Sequence, residues 1–209
     1  MTSTEQIAGA AGDAQWQRAA VDATLTLCRE RAYKEFDVSD IATRARVDES
    51  VLRSRWPAKN LIVVESLLST VAPRMAFPRT GDVSADLRDQ LLAVVELFAD
   101  PGIGPHLAAL AAEANSDERL ASLFLRKVFA PNRAVARARF ELAQEQGQLR
   151  KDIDLDTAVD LVFGPIWFRL LLGTGPLTAD LARSIADHVL AGLAVDRGRG
   201  DGDEGDDRK

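Results

Sequence analysis

Histidine and cysteine are almost missing from this 209-residue chain: two histidines, His106 and His188, and one cysteine, Cys28. A single cysteine excludes an internal disulfide and fits a reducing compartment. The histidines fall in different predicted helices with no metal-ligating neighbour three or four residues on, so no metal site is expected. Aromatic residues are only 6% of the chain, which leaves aliphatic side chains and alanine to fill the core. That usage suits an all-α chain. Long apolar runs are lacking as well. The most apolar stretch, LVFGPIWFRLLLG (161–173), is broken by Gly164, Pro165 and Arg169 and falls short of the ~20 residues of a membrane span. The N-terminus has no basic segment ahead of an apolar one. A cytoplasmic protein with no membrane partner is expected.

Catalytic patterns are missing too. There is no GxSxG elbow. GIG at 102–104 and GTG at 173–175 follow no strand, so they are helix breakers and not phosphate loops. No cluster of acid, base and nucleophile stands out, and neither an enzyme nor a cofactor is expected.

What is present is a normal globular composition, 46% hydrophobic and 28% charged, long enough for one large or two small domains. The net charge of −6 is unevenly spread. Residues 13–68 carry nine basic and nine acidic side chains and are neutral. The tail 196–209 carries four basic and six acidic residues among glycines, a composition expected to be disordered. Residues 1–12 are expected to be disordered as well.

Helical spacing runs through the rest. Trp16, Ala20, Ala23 and Leu27 share a face and predict a helix over about 13–32. Asp37 is an expected N-cap, with Asp40 three residues on where a capping box places its acid. Val38, Ile41, Ala42 and Ala45 line a short second helix. Asp48 caps a third, with Leu52 and Trp56 on one face and Pro57 at its end. A fourth runs over about 58–71 with Leu61, Val64 and Leu68 in register. Leu87, Leu91, Val94 and Phe98 form the next stripe, ended by DPGIGP. A short helix follows over about 106–114. Ser116 is expected to cap a segment reaching about Gln146, with a kink or break at Pro131. Asp154 or Asp156 opens a helix through Leu172. Thr178 caps the last, to about 194, with Leu181, Ile185, Val189 and Gly192 inward. No alternating strand pattern, internal repeat or heptad run occurs.

The order helix, short helix, tight turn, short helix, fourth helix with an early lysine resembles the TetR family of bacterial one-component regulators. The positions that carry it are Asp40–Ala42, Ala45, Val47, Leu52, Trp56 and Lys59. The stretch from APNRAVARARF (130–140) to ADHVLAGL (186–193) is similar to a common C-terminal domain of that family. The resemblance implies two domains: a helix-turn-helix DNA-binding domain over 13–71 and a larger helical domain over 72–195 for ligand binding and dimerisation. It implies Val38–Arg46 as the supporting helix and Glu49–Trp56 as the recognition helix. It also implies a homodimer through the last two long helices, about 155–194, an operator of double-stranded DNA read as a near-palindrome, and an unknown small-molecule effector. Repression relieved by ligand is the outcome it implies.

The reading head departs from the family pattern at the turn, where Arg46 stands for glycine. The family's threonine and tyrosine contacts are replaced by Val51 and Arg53. Arg53 and Arg55, off the Leu52/Trp56 face, are the first candidates for base edges or phosphate, and Arg53 offers a charged fork for phosphate. Arg44 and Arg46 are backbone candidates, and Lys59 is a phosphate candidate. Ser50 follows the cap. Asp48 and Glu49 repel phosphate, although either can accept from a cytosine amino group. Trp56 is assigned to the core. In the larger domain Phe98, His106, Phe124, Phe129, Phe163 and Trp167 either pack the core or line a ligand cavity between helices. Arg169 has three open partners: an acidic ligand, a carboxylate such as Asp160, or solvent at a dimer edge. The rival reading is a helical ligand-binding protein with a degenerate head that no longer recognises specific DNA.

Overall fold

The computed structural model describes the backbone of residues 3–194 and side chains from Ala14 onward. The acidic tail 196–209 and the first two residues lie outside this range. Ten α-helices follow one another among the described residues: α1 Ser3–Glu30, α2 Val38–Ala45, α3 Glu49–Arg55, α4 Lys59–Val71, α5 Val83–Ala99, α6 Gly104–Ala114, α7 Glu118–Phe124, α8 Ala130–Glu145, α9 Leu155–Leu172 and α10 Ala179–Leu193. They contain no strand; Leu149 and Ala194 form one isolated bridge. The chain is all-α, as its composition implied.

Aspartates start five of the ten helices. Asp37 accepts from the N–H groups of Ser39 and Asp40, and the Asp40 carboxylate accepts from the Asp37 N–H at 2.9 Å, completing the expected capping box. The Asp48, Asp82, Asp117 and Asp154 carboxylates likewise accept from N–H groups in the first turns of α3, α5, α7 and α9. Thr178 caps α10. Each satisfies donors that no intrahelical carbonyl reaches.

Several boundaries differ from expectation. α1 begins at Ser3, not Asp13, and ends at Glu30; the Ala-rich, proline-free N-terminal segment favours continued helix. Asp117, not Ser116, caps α7, because its carboxylate reaches the Arg119 and Leu120 N–H groups. Ser116 instead closes the end of α6 by donating to the Glu113 carbonyl. The expected break at Pro131 takes the form of a π turn over Leu125–Phe129 immediately before it, which re-registers the ladder ahead of a residue with no N–H. On α10 the buried stripe is Ala182, Ile185, Ala186, Leu190 and Leu193, while Gly192 is exposed.

α1 packs on α2 and α4 around Leu27, Ile41, Leu52, Trp56 and Ile62, all buried. α5 packs on α10, and α8 and α6 on α9, around Leu87, Leu91, Leu110, Phe140, Val162 and Ile166. α5 and α6 meet at 84°. The bend rests on Gly104, where a Cβ would fall 1.9 Å from the Phe98 carbonyl oxygen. No single helix among the described residues is long and apolar enough to cross a membrane.

Candidate nucleic-acid interface and apolar cavity

α2 and α3 form a helix-turn-helix whose turn is made by Arg46. Its backbone is left-handed, φ 56 and ψ 42, a region most side chains avoid. The Val47 N–H reaches back to the Ala42 carbonyl at 3.1 Å, the six-to-one bond of a Schellman turn. Arg46 itself is exposed. α3 is held by Leu52, fully buried, and by Trp56 at its C-terminus. The Trp56 indole N–H donates to Glu65 at 2.9 Å and its ring meets Trp16 edge-on at 5.8 Å. Trp56 is therefore a core residue.

The opposite side of α3 is exposed: Ser50, Val51, Arg53, Ser54 and Arg55. Three of the four arginines are paired. Arg53 donates to Glu49 at 2.7 Å, Arg55 to Glu65 at 3.1 Å and Arg44 to Glu30 at 2.8 Å. The Asp48 carboxylate is occupied by the Ser50 hydroxyl at 2.6 Å and backbone N–H at 2.7 Å. Those bonds hold it below the usual carboxylate range. Asp48 and Ser50 thus start the helix. Lys59 differs from the expectation that it faces phosphate. Its ammonium donates to the Tyr33 and Phe36 carbonyls at 2.6 and 3.0 Å and lies 4.1 Å from the Tyr33 ring centre. Burial lowers its pKa. It ties α4 to the short 3-10 turn Tyr33–Glu35.

A cavity of about 350 Å³ opens between α4, α5, α6, α8 and α9. Four of the six sequence candidates, Phe98, Phe129, Phe163 and Trp167, line it. Phe98 and Phe129 each stand 5.0 Å from the Trp167 ring. Phe124 sits behind them, 5.5 Å from Phe129, outside the lining. His106 turns away. Its Nε2 is 2.8 Å from the Cys28 carbonyl oxygen, so Nε2 carries the proton, and burial lowers its pKa. Cys28 is buried, and burial raises its thiol pKa to about 12. Sequence periodicity missed Gln90, Asn132, Arg133 and Asp160, which also line the cavity. Gln90 follows Leu87 and precedes Val94 on a stripe whose spacing was legible, but its polar side chain set it apart from an apolar count. Asp160 pairs with Arg133, not Arg169; Arg169 donates to the Pro176 carbonyl at 2.9 Å.

Among the described residues no three His, Cys, Asp or Glu side chains are grouped to hold a metal. A small head with an exposed α3, set on a helical body with an apolar cavity, has the form of a helix-turn-helix transcriptional regulator. The family described as "Tetracyclin repressor-like, C-terminal domain" matches residues 77–189, and the chain belongs to the TetR family of helix-turn-helix transcriptional regulators. It is 27% identical over 176 residues to YdeS of Bacillus subtilis, an uncharacterized HTH-type transcriptional regulator, covering 84% of this chain and 88% of that one. The crystal structure of the TetR family transcription regulator SCO0332 superposes with a TM-score of 0.73 at 28% identity, over 87% of this chain and all of that one. A TetR transcriptional regulator from Agrobacterium tumefaciens shares the fold, with a TM-score of 0.63 at 21% identity, over 86% of this chain and 94% of that one.

Proposed function

We propose that the protein is a homodimeric repressor that reads a near-palindromic operator through α2 and α3 and is released when a small molecule fills the cavity. The observation that carries this reading is the exposed side of α3, where Arg53 and Arg55 stand opposite the buried Leu52 and Trp56. In this geometry the second helix enters the major groove. Exposed ion pairs such as Arg53–Glu49 and Arg55–Glu65 are worth about 0–1 kcal/mol, so a phosphate oxygen or guanine edge displaces the carboxylate at little cost. Arg44 and Arg46 flank the helix for backbone contacts, and Glu49, once freed, accepts from a cytosine amino group. Asp48, Ser50 and Lys59 act by holding α3 and α4 in place.

The dimer reading rests on α9. Leu161, Pro165, Phe168 and Leu172 are exposed at four-, three- and four-residue steps along one face, an apolar stripe of the kind that marks an interface. Together with α10 it would make a four-helix seam. Coupling rests on α6. Leu107 and Ala111 line the cavity, while Glu113 accepts from the Tyr33 hydroxyl at 2.6 Å and the Asn60 amide at 3.0 Å. One helix therefore touches both the effector space and the reading head. A ligand that prefers one α6 position shifts the population of head spacings.

Selection from random double-stranded DNA by the full chain, at low and moderate salt, tests this. Enrichment of a near-palindrome with half-sites about one helical turn apart is the expected result. Sequence-blind binding that vanishes at moderate salt would leave only electrostatics. It would favour the second reading, a helical ligand-binding protein with a degenerate head. The pairing of Arg44, Arg53 and Arg55 and the inward turn of Lys59 support that alternative.

A further inference from the structure

Gln90 lies on α5 within the cavity lining and is only 2% exposed, yet its amide makes no hydrogen bond with the described protein. Its amide opens onto the cavity, so an apolar group that fills that space removes the amide's hydration and costs free energy unless a partner arrives. The rest of the cavity wall is largely apolar, with Val94, Leu107, Phe129, Phe163 and Trp167 among its lining residues. Gln90 stands two helical turns along α5 from Phe98, a rise of about 12 Å, and Phe98 belongs to the aromatic cluster with Trp167 and Phe129. The cavity therefore has an aromatic end and, about 12 Å away, the Gln90 amide with no protein partner.

The charges at the wall are already answered. Arg133 pairs with Asp160 and Asp156, and Arg137 pairs with Asp156, two cations against two carboxylates. Asn132 spends an amide N–H on the Val128 carbonyl at 2.7 Å. No uncompensated cation awaits an anionic ligand, and a free carboxylate would lose its hydration without a partner.

Resting on the reading of this cavity as the effector site, we infer that its ligand is an uncharged, elongated, largely apolar molecule. Its single hydroxyl or carbonyl oxygen exchanges a hydrogen bond with Gln90, and its apolar end lies against Phe98, Phe129 and Trp167. Gln90 is the specificity-determining residue. Shape and apolar area supply affinity, and the amide rejects a pure hydrocarbon by being left unpaired.

The test is calorimetric titration of the full chain with decanol, decanoate and naphthalene, on the parent, Gln90→Met and Gly164→Leu. Gly164 lines the cavity and a Cβ there meets no atom within 4 Å, so its leucine variant fills the space without a backbone clash. Decanol is expected to bind the parent at least about tenfold more tightly than decanoate. Gln90→Met is expected to weaken decanol about tenfold while leaving naphthalene unchanged. Gly164→Leu is expected to abolish both ligands. Decanoate binding as tight as decanol, or decanol binding indifferent to Gln90→Met, overturns the inference while leaving the cavity as a ligand site. Failure of both decanol and naphthalene to bind overturns the inference and the effector reading together.

Discussion

Arg46 occupies a left-handed backbone position that glycine fills without a Cβ clash. The clash costs about 1–2 kcal/mol, partly offset by the greater freedom glycine has when unfolded. Arg46→Gly is therefore expected to stabilise the chain by roughly 0.5–1 kcal/mol, read as a rise in thermal midpoint. If Arg46 meets phosphate, the same change weakens DNA binding and lowers the slope of log affinity against log salt by about one. A second residue-scale feature is the buried pair of Asp86 and Arg139, 0% and 1% exposed at 2.7 Å. Burial alone would raise the Asp86 pKa, but hydrogen bonds from Thr80 and the Arg139 guanidinium hold it below the usual range. Asp86→Leu strands a buried cation and is expected to cost about 3–5 kcal/mol in urea unfolding, whereas Asp86→Leu with Arg139→Met should recover most of that loss. Neither residue was singled out by spacing, since charged side chains at helical positions read as solvated until their neighbours are known.

Two elements carry the proposed activity. On α3, Arg53→Ala with Arg55→Ala should weaken operator binding by on the order of a hundredfold or more, at about 1–3 kcal/mol per lost contact. The helical circular dichroism and dimer mass should be unchanged, because the pairs those arginines make are exposed. Unchanged affinity would remove α3 as the reading helix. On α9, Phe168 is 55% exposed within the Leu161–Leu172 stripe. Phe168→Glu should yield monomers by light scattering and cut operator affinity sharply, since two half-sites then bind separately. A dimer that persists would move the interface elsewhere. Most element boundaries followed from caps and stripes, because an aspartate ahead of an apolar stripe specifies its helix from residues in contact along the chain. The π turn at Leu125–Phe129 was legible only as a proline; local spacing does not say how the ladder accommodates Pro131.

At the scale of the whole molecule, His106 joins the body to the head through the Cys28 carbonyl of α1. Burial lowers its pKa, the hydrogen bond to Cys28 opposes that shift, and Lys59 adds to it. The unfolded chain takes up the proton near pH 6.5 while the folded chain resists it. Stability is thus fully present above about pH 6.5 and is lost as pH falls below it, by at most about 1.4 kcal/mol per pH unit for one proton. Thermal midpoints between pH 7.5 and 5 should fall on this slope, and His106→Asn, which keeps an N–H for the Cys28 carbonyl, should flatten it; an identical slope in the variant would sink the assignment. The sequence by itself determined the all-α class, because caps and 3.6-residue stripes are local properties of the chain; the helix-turn-helix and its departures at Arg46, Val51 and Arg53 came through the resemblance to the TetR family. The sequence also offered six candidates for either core or cavity, of which Phe98, Phe129, Phe163 and Trp167 line the cavity. Only the tertiary structure decided that Lys59 turns inward to two carbonyls, that His106 faces Cys28 and not the cavity, and that Gln90 is left without a partner. Those outcomes depend on side chains far apart in sequence competing for the same donors and the same space, and no periodicity records that competition.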